Sequence, residues 1–455
     1  MCAEFAWRSD RTDSGGRMCR PQRVLAVQAV RGGVLTWRSE EMNERARFWV
    51  ALISVVIVSI ASGVVSGLDS PWRRPGEPRW WKGNLHTHTL WSDGQAFPET
   101  VVSWYKRSGY HFLALSDHNV LQRGERWVRL ADHPQLRWAY DAYVEEFGPE
   151  WVESRRRDGV CEVRLKTLDE FRTRFEEPDR FLLLCGEEIT DRSQNRPVHL
   201  NASNLLELVP PQHGETVAET IRRNVLAVYE QRQRLGRPIL VHLNHPNYGW
   251  AVTVDDLVQV PEVRFFEVFN GHPAVNNEGD AEHPSVEEMW DQVLIGRLRN
   301  NPEDILYGLA TDDAHVYDRD GGNAPVPGRG WIMVRARYLT PREIVQAIER
   351  GDFYASTGVT LSDIEVSADA IRVEVAPNPG ASYTIEFVGA RKMADGGISG
   401  PEVLKRVTGT EATYEFQGDE LYVRCRVRSD CPPARPISAG DREMAWTQPV
   451  VPSVQ

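Results

Sequence analysis

The chain has 455 residues, of which 41% are hydrophobic and 26% are charged. That is enough for two or three globular domains with an ordinary buried core. Its 53 Lys and Arg against 65 Asp and Glu give a net charge of −12. Because a net negative surface repels a phosphate backbone, nucleic acid is not expected as the main partner. Neither a Gly-x-Ser-x-Gly nucleophile elbow nor a phosphate-binding P-loop occurs in the sequence.

The N-terminal region divides into two parts. Residues 1–41 are Arg-rich without periodicity, and we interpret them as an upstream extension or a mis-called start rather than a domain. In residues 42–70, a short basic segment precedes an apolar run of about 20 residues, long enough to span a bilayer. This order is typical of a secretory signal peptide or an N-terminal membrane anchor. Both alternatives predict export, to the periplasm or the extracellular space.

The first cluster of chemical interest lies between Trp81 and Asn119. An apolar strand pattern ends in His86 and His88, which alternate and therefore share one face of an extended chain. Asp93 follows in a turn, and after a helix-like segment a second strand ends in Asp117-His118. A strand, helix and strand of this length favour parallel strands. Imidazole and carboxylate at the ends of adjacent strands are typical of Zn, Mn or Fe hydrolase centres.

Later strand patterns end in the same residue types. Phe181 to Cys185 leads into Glu187-Glu188, and the next apolar stretch ends at His199. A helix predicted from Thr216 to Leu235 precedes a strand that carries His242 and His245. A small-residue strand then ends in Asp312-Asp313-Ala-His315. His or acid at so many strand ends predicts one composite site.

Residues 121–180 form a long connection between the second and third strand patterns. The segment is charged, rich in Trp and Arg, and shows no clear strand. It exceeds an ordinary connection in length, so we predict a mostly helical insertion. It would form either a lid or substrate wall or a solvated decoration. Trp127, Trp138 and Trp151 would line a pocket in the first case and pack in a core in the second.

The motifs His-x-His, Ser-Asp-Gly and Ser-Asp-His-Asn, followed by Gly-Glu-Glu, His-Pro and Asp-Ala-His, resemble the PHP (polymerase and histidinol phosphatase) metallohydrolase family. The resemblance implies an α/β fold, a distorted (β/α)7 TIM-like barrel over residues 78–360. A small antiparallel β domain is expected over residues 361–455, where the pattern changes to period two. The last barrel helix and the closing Ala445-Trp-Thr-Gln-Pro resemble the exported, carbamate-hydrolase-like CehA/McbA branch.

The resemblance also implies a ligand set for two or three divalent metals, Zn, Mn or Fe. The implied ligands are His86, His88, Asp93, His118, Glu188, His199, His245, Asp313 and His315. His86, His88, Glu188 and Asp313 would hold one metal, Asp93, His118 and His315 a second, and Glu188, His199 and His245 a third where present. The catalytic group would be a metal-bound hydroxide, since a bound metal lowers the pKa of water to about 7.

The remaining candidates have lesser predicted roles. Arg329 and Tyr248 are candidates for substrate contact, with turn stabilisation as the alternative. Glu267 and Asn270 are expected to orient metal-bound imidazoles. His242 is interpreted as a packed or supporting histidine, and His272 and His283 as surface residues. Cys425 and Cys431 are the better candidates for a disulfide, and Cys185 for a buried thiol.

Three functions follow from these assignments. The first is a metal-dependent phosphoesterase, which the family resemblance favours. The second is a carbamate, ester or amide hydrolase with the same centre, and the third is a non-catalytic metal or ligand-binding module. The enzyme hypotheses predict a small-molecule substrate, anionic in the phosphoesterase case. No protein partner can be inferred from the sequence.

Overall fold

The computed structural model describes residues 76–132, 135–317 and 322–452. The predicted extension (1–41) and export segment (42–70) lie outside these ranges. Within them, no helix combines the length and apolar character needed to cross a membrane.

The described chain contains nineteen strands and seven helices. The strands are β1 Arg79–Asn84, β2 Phe112–Leu115, β3 Arg126–Arg129, β4 Ser154–Arg157, β5 Val160–Leu165, β6 Leu182–Ser193, β7 Arg196–Ser203, β8 Leu240–Leu243, β9 Phe265–Asn270, β10 Tyr307–Thr311, β11 Trp331–Ala336, β12 Phe353–Ser356, β13 Leu361–Val366, β14 Ala370–Val375, β15 Tyr383–Arg391, β16 Glu402–Thr408, β17 Glu411–Glu415, β18 Glu420–Ser429 and β19 Met444–Thr447. The helices are α1 Pro98–Arg107, α2 Gln135–Phe147, α3 Leu168–Phe175, α4 Val217–Leu235, α5 Val254–Val258, α6 Val286–Leu298 and α7 Pro341–Glu349.

Thirteen strands form one mixed sheet in the order β10-β9-β8-β7-β6-β2-β1-β11-β12-β19-β18-β15-β16. β1, β2 and β6 are parallel, as are β8, β9 and β10. The predicted α/β class is therefore present, but a closed TIM-like barrel is not detected. Among the described residues, β10 and β1 share no strand ladder; a single bridge between Thr87 and Ala314 joins the segments that follow them.

β7 departs from the predicted parallel arrangement, because it runs antiparallel to both β6 and β8. Only Gln194 and Asn195 separate β6 from β7, and Gln194 has a φ of 56°. Parallel neighbours need a crossover of roughly a dozen residues, so a two-residue connection requires a hairpin. The reversal places the start of β7, with His199, beside the last residues of β6.

Capping residues set where the helices begin and end. Ser285 caps α6 through a reciprocal pair with Glu288, which satisfies two otherwise unpaired N–H groups. Thr216 caps α4, and Gly236 ends it with a φ of 61°, a conformation that glycine adopts without strain. Each parallel pair is connected through at least one helix, so the carboxyl ends of these strands lie at one edge of the sheet.

The prediction that residues 121–180 lack strands is wrong. The segment contains α2, α3 and a three-stranded antiparallel sheet in the order β3-β5-β4. Val163 and Leu165 alternate with Arg164 on β5, but the flanking arginines obscure this short period-two pattern in the sequence. Two hydrogen bonds anchor the insertion to the buried Glu99 of α1. They come from the Tyr143 hydroxyl at 2.6 Å and the Trp151 indole at 2.9 Å.

The three tryptophans of the insertion lie outside the ligand cluster described below. Trp151 is partly buried and packs against the core, Trp127 lies beneath the Arg155 guanidinium, and Trp138 is 41% exposed. Trp91, in the turn before Asp93, donates to the carbonyl of Lys166 at 3.2 Å. The insertion therefore contacts the turn that carries a predicted ligand.

The strands after Leu361 are antiparallel, as the period-two pattern predicts. β13, β14 and β17 form a separate sheet, whereas β15, β16, β18 and β19 extend the large one. Cys185, Cys425 and Cys431 are free thiols, and Cys185 is buried in β6 as expected. Cys425 lies in mid-β18, so four extended residues, about 13 Å, carry the strand on to Ser429 before Cys431. That spacing disfavours the candidate disulfide, because bridged Cα atoms lie within about 7 Å.

A buried ion pair joins α6 to β18. Arg424 is fully buried and donates to both carboxylate oxygens of Asp291, at 2.8 and 2.7 Å. The Tyr422 hydroxyl also donates to Asp291, and Glu287 lies 2.9 Å from the Arg424 guanidinium. A charged guanidinium loses its hydration when it is buried, so Arg424 destabilises the fold unless its carboxylate partners are present.

We therefore expect Asp291→Ala to lower the free energy of unfolding by about 3–5 kcal/mol, because it leaves a buried guanidinium short of a partner. Glu411→Ala is the matched control; it removes an exposed partner of Arg372 and should leave the free energy of unfolding almost unchanged. Urea denaturation measures both. Equal, small effects would contradict the role assigned to Asp291.

Candidate metal centre

All nine predicted ligands converge at one edge of the large sheet. They fall into four overlapping groups whose ligand atoms lie within 4.8 Å of one another. The groups are His88, Asp93, His118 and His315; His86, His245 and Asp313; His86, His88 and Glu188; and His118, Glu188 and His199. Motifs that are far apart along the chain thus form one compact cluster.

The most buried part contains two imidazoles and two carboxylates. The Nε2 atoms of His86 and His88 lie 3.4 and 3.3 Å from Glu188 Oε2. They lie 3.2 and 3.1 Å from Asp313 Oδ1. Two ligands bound to one metal at about 2.1 Å are separated by roughly 3.0–3.4 Å, so these spacings fit a shared divalent ion.

Asp93 organises a second, more exposed group. Its Oδ1 lies 3.4 Å from His88 Nδ1 and 3.4 Å from His315 Nε2, and its Oδ2 lies 3.4 Å from His118 Nε2. Gly94 follows, where a Cβ atom would meet the His88 carbonyl carbon at 2.5 Å. Glycine at this position allows the turn to return closely against the histidine strand.

Glu188 connects the groups through both of its oxygens. Oε2 is 2.9 Å from His118 Nδ1, and Oε1 is 2.9 Å from His199 Nδ1 and 3.5 Å from His245 Nε2. The resemblance implies that Glu188 bridges two metals, and this role stays a prediction. His245 also groups with His86 and Asp313, so the assignment of each ligand to one metal stays a prediction.

Several buried polar atoms of this cluster have no hydrogen-bond partner among the described residues. Buried atoms without one among the described residues include His86 Nε2, His88 Nε2, Glu188 Oε2 and His199 Nδ1. His86 Nδ1 lies 2.7 Å from Glu267 Oε1, which fixes its proton there and directs the Nε2 lone pair at two carboxylates. Lone pairs facing carboxylate oxygens require a cation between them, so the donor set fits divalent metals.

The electrostatics of the cluster attract positive charge. Burial opposes ionisation of Glu188, but the neighbouring His118 and His86 hold its pKa well below the usual range. Burial likewise opposes a charged His88, yet Asp313 and Asp93 raise its pKa to about 9. Glu188 and Asp93 raise the pKa of His118 to about 11 in the same way. Without metal, these imidazoles therefore hold protons at neutral pH.

Glu267 and Asn270 occupy the supporting positions predicted for them. Glu267 Oε1 contacts His86 and accepts from the Thr311 hydroxyl at 2.7 Å, while its Oε2 accepts from the His245 backbone N–H at 2.8 Å. Asn270 Nδ2 donates to Glu267 at 2.8 Å and to Asp313 at 3.1 Å. A carboxylate behind a ligating imidazole fixes its tautomer and orientation.

Three titratable residues that adjoin the predicted ligands in sequence or in space, Asp312, Glu187 and His242, lie outside the ligand groups. Asp312 accepts from the Tyr105 hydroxyl and from two backbone N–H groups, so it stabilises the strand end. Glu187 is on the opposite strand face and accepts from the Val209 N–H at 2.9 Å; burial raises its pKa to about 8. His242 is fully buried with Nε2 3.6 Å from Glu267, consistent with a packed or supporting histidine.

The two substrate-contact candidates differ in their surroundings. Arg329 is 1% exposed, and its three guanidinium nitrogens donate to the carbonyls of Arg435, Gly271 and Gly322. These contacts support the alternative of turn stabilisation. Tyr248 is 38% exposed, with its ring centroid 5.2 Å from that of His245. Its contact with a substrate stays a prediction.

Sequence reasoning missed two residues of this site. Asn244 Nδ2 donates to Glu188 Oε1 at 2.9 Å and thereby fixes the bridging carboxylate. Asn244 directly precedes His245 in the sequence, and this position could have indicated its role. His272, predicted to be a surface residue, is half-buried beside His315, and burial lowers its pKa to about 4. His283 is partly exposed and paired with Asp280, as a surface histidine should be.

The backbone is strained where ligands are presented. Asp313 and Asn119 both have a φ of 49°, in the left-handed region that few non-glycine residues adopt. The Asp313 N–H donates to the His86 carbonyl at 3.1 Å, and the Asn119 N–H to the Glu188 carbonyl at 2.9 Å. Such strain is tolerated when the surrounding contacts fix the residue, and it concentrates at functional sites.

No protein-family model matches the chain, and no curated protein matches it significantly. Two solved structures are similar to it. One is a two-domain protein containing a predicted PHP-like metal-dependent phosphoesterase from Bacteroides vulgatus, with 14% identity and a TM-score of 0.36 over 83% of this chain and 99% of that one. The other is a candidate metal-dependent phosphoesterase from Bifidobacterium adolescentis, with 14% identity and a TM-score of 0.29 over 53% and 91%. The CehA/McbA branch stays a prediction.

We expect Glu267→Gln to weaken metal binding by about 10–100-fold, because the His86 imidazole loses the carboxylate that orients it. Metal content after dialysis, measured by plasma mass spectrometry, checks this. His283→Gln is the matched control and should keep its metal. Wild-type metal content in Glu267→Gln would exclude the orienting role.

Metal binding should release protons, because His88 and His118 have raised pKa values and the metal displaces the protons that their imidazoles hold. As the pH falls, the higher proton concentration competes with the metal for these imidazoles. The apparent metal affinity should therefore decrease on acidification, by about tenfold per pH unit for each released proton. Calorimetric titration in buffers of different ionisation enthalpy measures the release. Heats independent of the buffer would contradict it.

Proposed function

We propose that this protein is a metal-dependent hydrolase that acts on small phosphoesters. One observation carries the proposal. Both oxygens of the buried Glu188 lie among five histidines, and four of these, His86, His88, His118 and His245, also have Asp93 or Asp313 as an acidic neighbour. This donor set suits two or three adjacent cations, an arrangement able to neutralise both the attacking and the leaving oxygen of a phosphoryl group.

The protein residues in this proposal hold and orient rather than react. His86, His88 and Asp313 would ligate the most buried ion, while Asp93 would draw a second one toward solvent. Bound divalent metals supply Lewis-acid chemistry and activate water at neutral pH. Glu267 and Asn244 fix the imidazole and carboxylate ligands, so the site is organised before a substrate arrives. Asp93 is 56% exposed in its side chain, which leaves that side open to substrate.

A second function, hydrolysis of a carbamate, ester or amide, is favoured by one specific observation. Phosphate pockets commonly offer an arginine, but Arg329 is buried and donates to three backbone carbonyls. A neutral acyl substrate needs no such cation. The same metal ligands serve either chemistry, since the pocket decides the substrate.

The third hypothesis, a metal-binding module without catalysis, requires metal without turnover.

We also propose that the protein is exported, on the strength of residues 42–70 alone. Neither proposal changes the ligand set.

The deciding assay uses the full-length protein reconstituted with Mn or Zn. We expect turnover of aryl phosphate monoesters or diesters, and a loss of at least about 100-fold in His118→Ala, because the ligand groups around Asp93 and Glu188 are both depleted. The panel also contains aryl esters and carbamates. His283→Ala should remain fully active.

The outcomes separate the three hypotheses. Phosphoester turnover lost only in His118→Ala supports the proposal. Turnover restricted to esters or carbamates replaces it with the second function. Full metal occupancy without any turnover supports the binding module.

A further inference from the structure

One histidine beside the cluster belongs to none of the four ligand groups. His272 lies on the loop after β9, and its ring centroid is 5.5 Å from that of His315, with the ring planes at 76°. The acidic and imidazole groups that act on it electrostatically are Asp313, His315, His245 and His86. The side chain is therefore at the rim of the metal-ligand cluster.

The position of His272 is fixed relative to a predicted ligand. Its backbone N–H donates to Asn270 Oδ1 at 2.8 Å. The amide nitrogen of the same Asn270 side chain donates to Asp313 Oδ2 at 3.1 Å. One asparagine thus connects the His272 loop directly to the carboxylate of Asp313.

The loop also fixes which ring nitrogen carries the hydrogen. The backbone N–H of Ala274 donates to His272 Nδ1 at 3.1 Å. Because Nδ1 uses its lone pair in this bond, the hydrogen of the neutral imidazole is on Nε2. Nε2 is on the opposite edge of the ring and can only donate a hydrogen bond.

Resting on the proposed hydrolase function, we propose that His272 is a substrate-contacting residue: its Nε2–H donates a hydrogen bond to the substrate oxygen that gains negative charge during attack by water. No proton is transferred, since the ring would have to become an imidazolate. The contribution is that of an oxyanion-hole donor, which stabilises charge where it develops.

Tyr248 lies beside the same ligand cluster. Its ring lies against His245, and an isolated β-bridge between Tyr248 and Val275 joins its loop to the His272 loop. The Arg329 guanidinium is buried and donates to backbone carbonyls, so it supplies no charged donor here. Metal ions and the neutral His272 donor together suit an oxyanion at phosphorus or at a carbonyl carbon.

The test compares two variants of His272 in the metal-loaded, full-length protein. His272→Phe keeps the ring shape and removes the donor, whereas His272→Gln keeps an N–H donor. We expect His272→Phe to lower kcat by about 10²–10³-fold. Metal content should be unchanged, and His272→Gln should recover at least about tenfold of the loss. His283→Phe, on the same loop, is the control and should have wild-type kcat.

A binding measurement keeps this proposal distinct from the proposed function. Inorganic phosphate is titrated into the metal-loaded proteins, and His272→Phe should bind it about tenfold or more weakly than His283→Phe. If no substrate is turned over, the proposed function fails, but weaker phosphate binding still supports the contact. Unchanged kcat and phosphate affinity in His272→Phe, loss of metal from it, or no phosphate binding by the wild type would each overturn the assignment.

Discussion

The buried carboxylate of Glu188 is the constraint on which the site depends. It is 1% exposed, yet it faces His86, His88, His118, His199 and His245 rather than a Lys or Arg. An ionised carboxylate is costly to bury unless positive charge compensates it. Protons on the imidazoles provide that charge without metal, and divalent ions provide it with metal. Folding, metal binding and pH are therefore coupled through one side chain.

The sheet supplies the geometry that this compensation needs. Parallel strands bring the segments after β1, β2, β8 and β10 to one edge, and the β6–β7 hairpin adds His199 from an antiparallel strand. Around the ligands, Glu267, Asn270 and Asn244 use most of their polar atoms to hold other side chains. The ligands are thus fixed by neighbours rather than by metal alone, which favours rigid presentation.

Eight of the nine ligand residues could be predicted from the sequence because they end or directly follow an apolar strand pattern. Asp93, in a turn, was implied by the family resemblance, and all nine meet in the structure. The path of the sheet could not, since periodicity does not encode strand direction. The hairpin at Gln194 and the short strands among the arginines of residues 121–180 show this limit. Asn244 and His272 were missed for another reason. Their roles arise from hydrogen bonds across loops, which leave no spacing pattern in one sequence.

The most direct test of the metal centre is anomalous X-ray scattering from crystals of the protein grown with Mn or Zn. We expect a peak within about 2.3 Å of ligand atoms from His86, His88, Glu188 and Asp313, and at least one more peak beside Asp93 or His199. A single peak elsewhere on the surface, or no peak despite added metal, would contradict it.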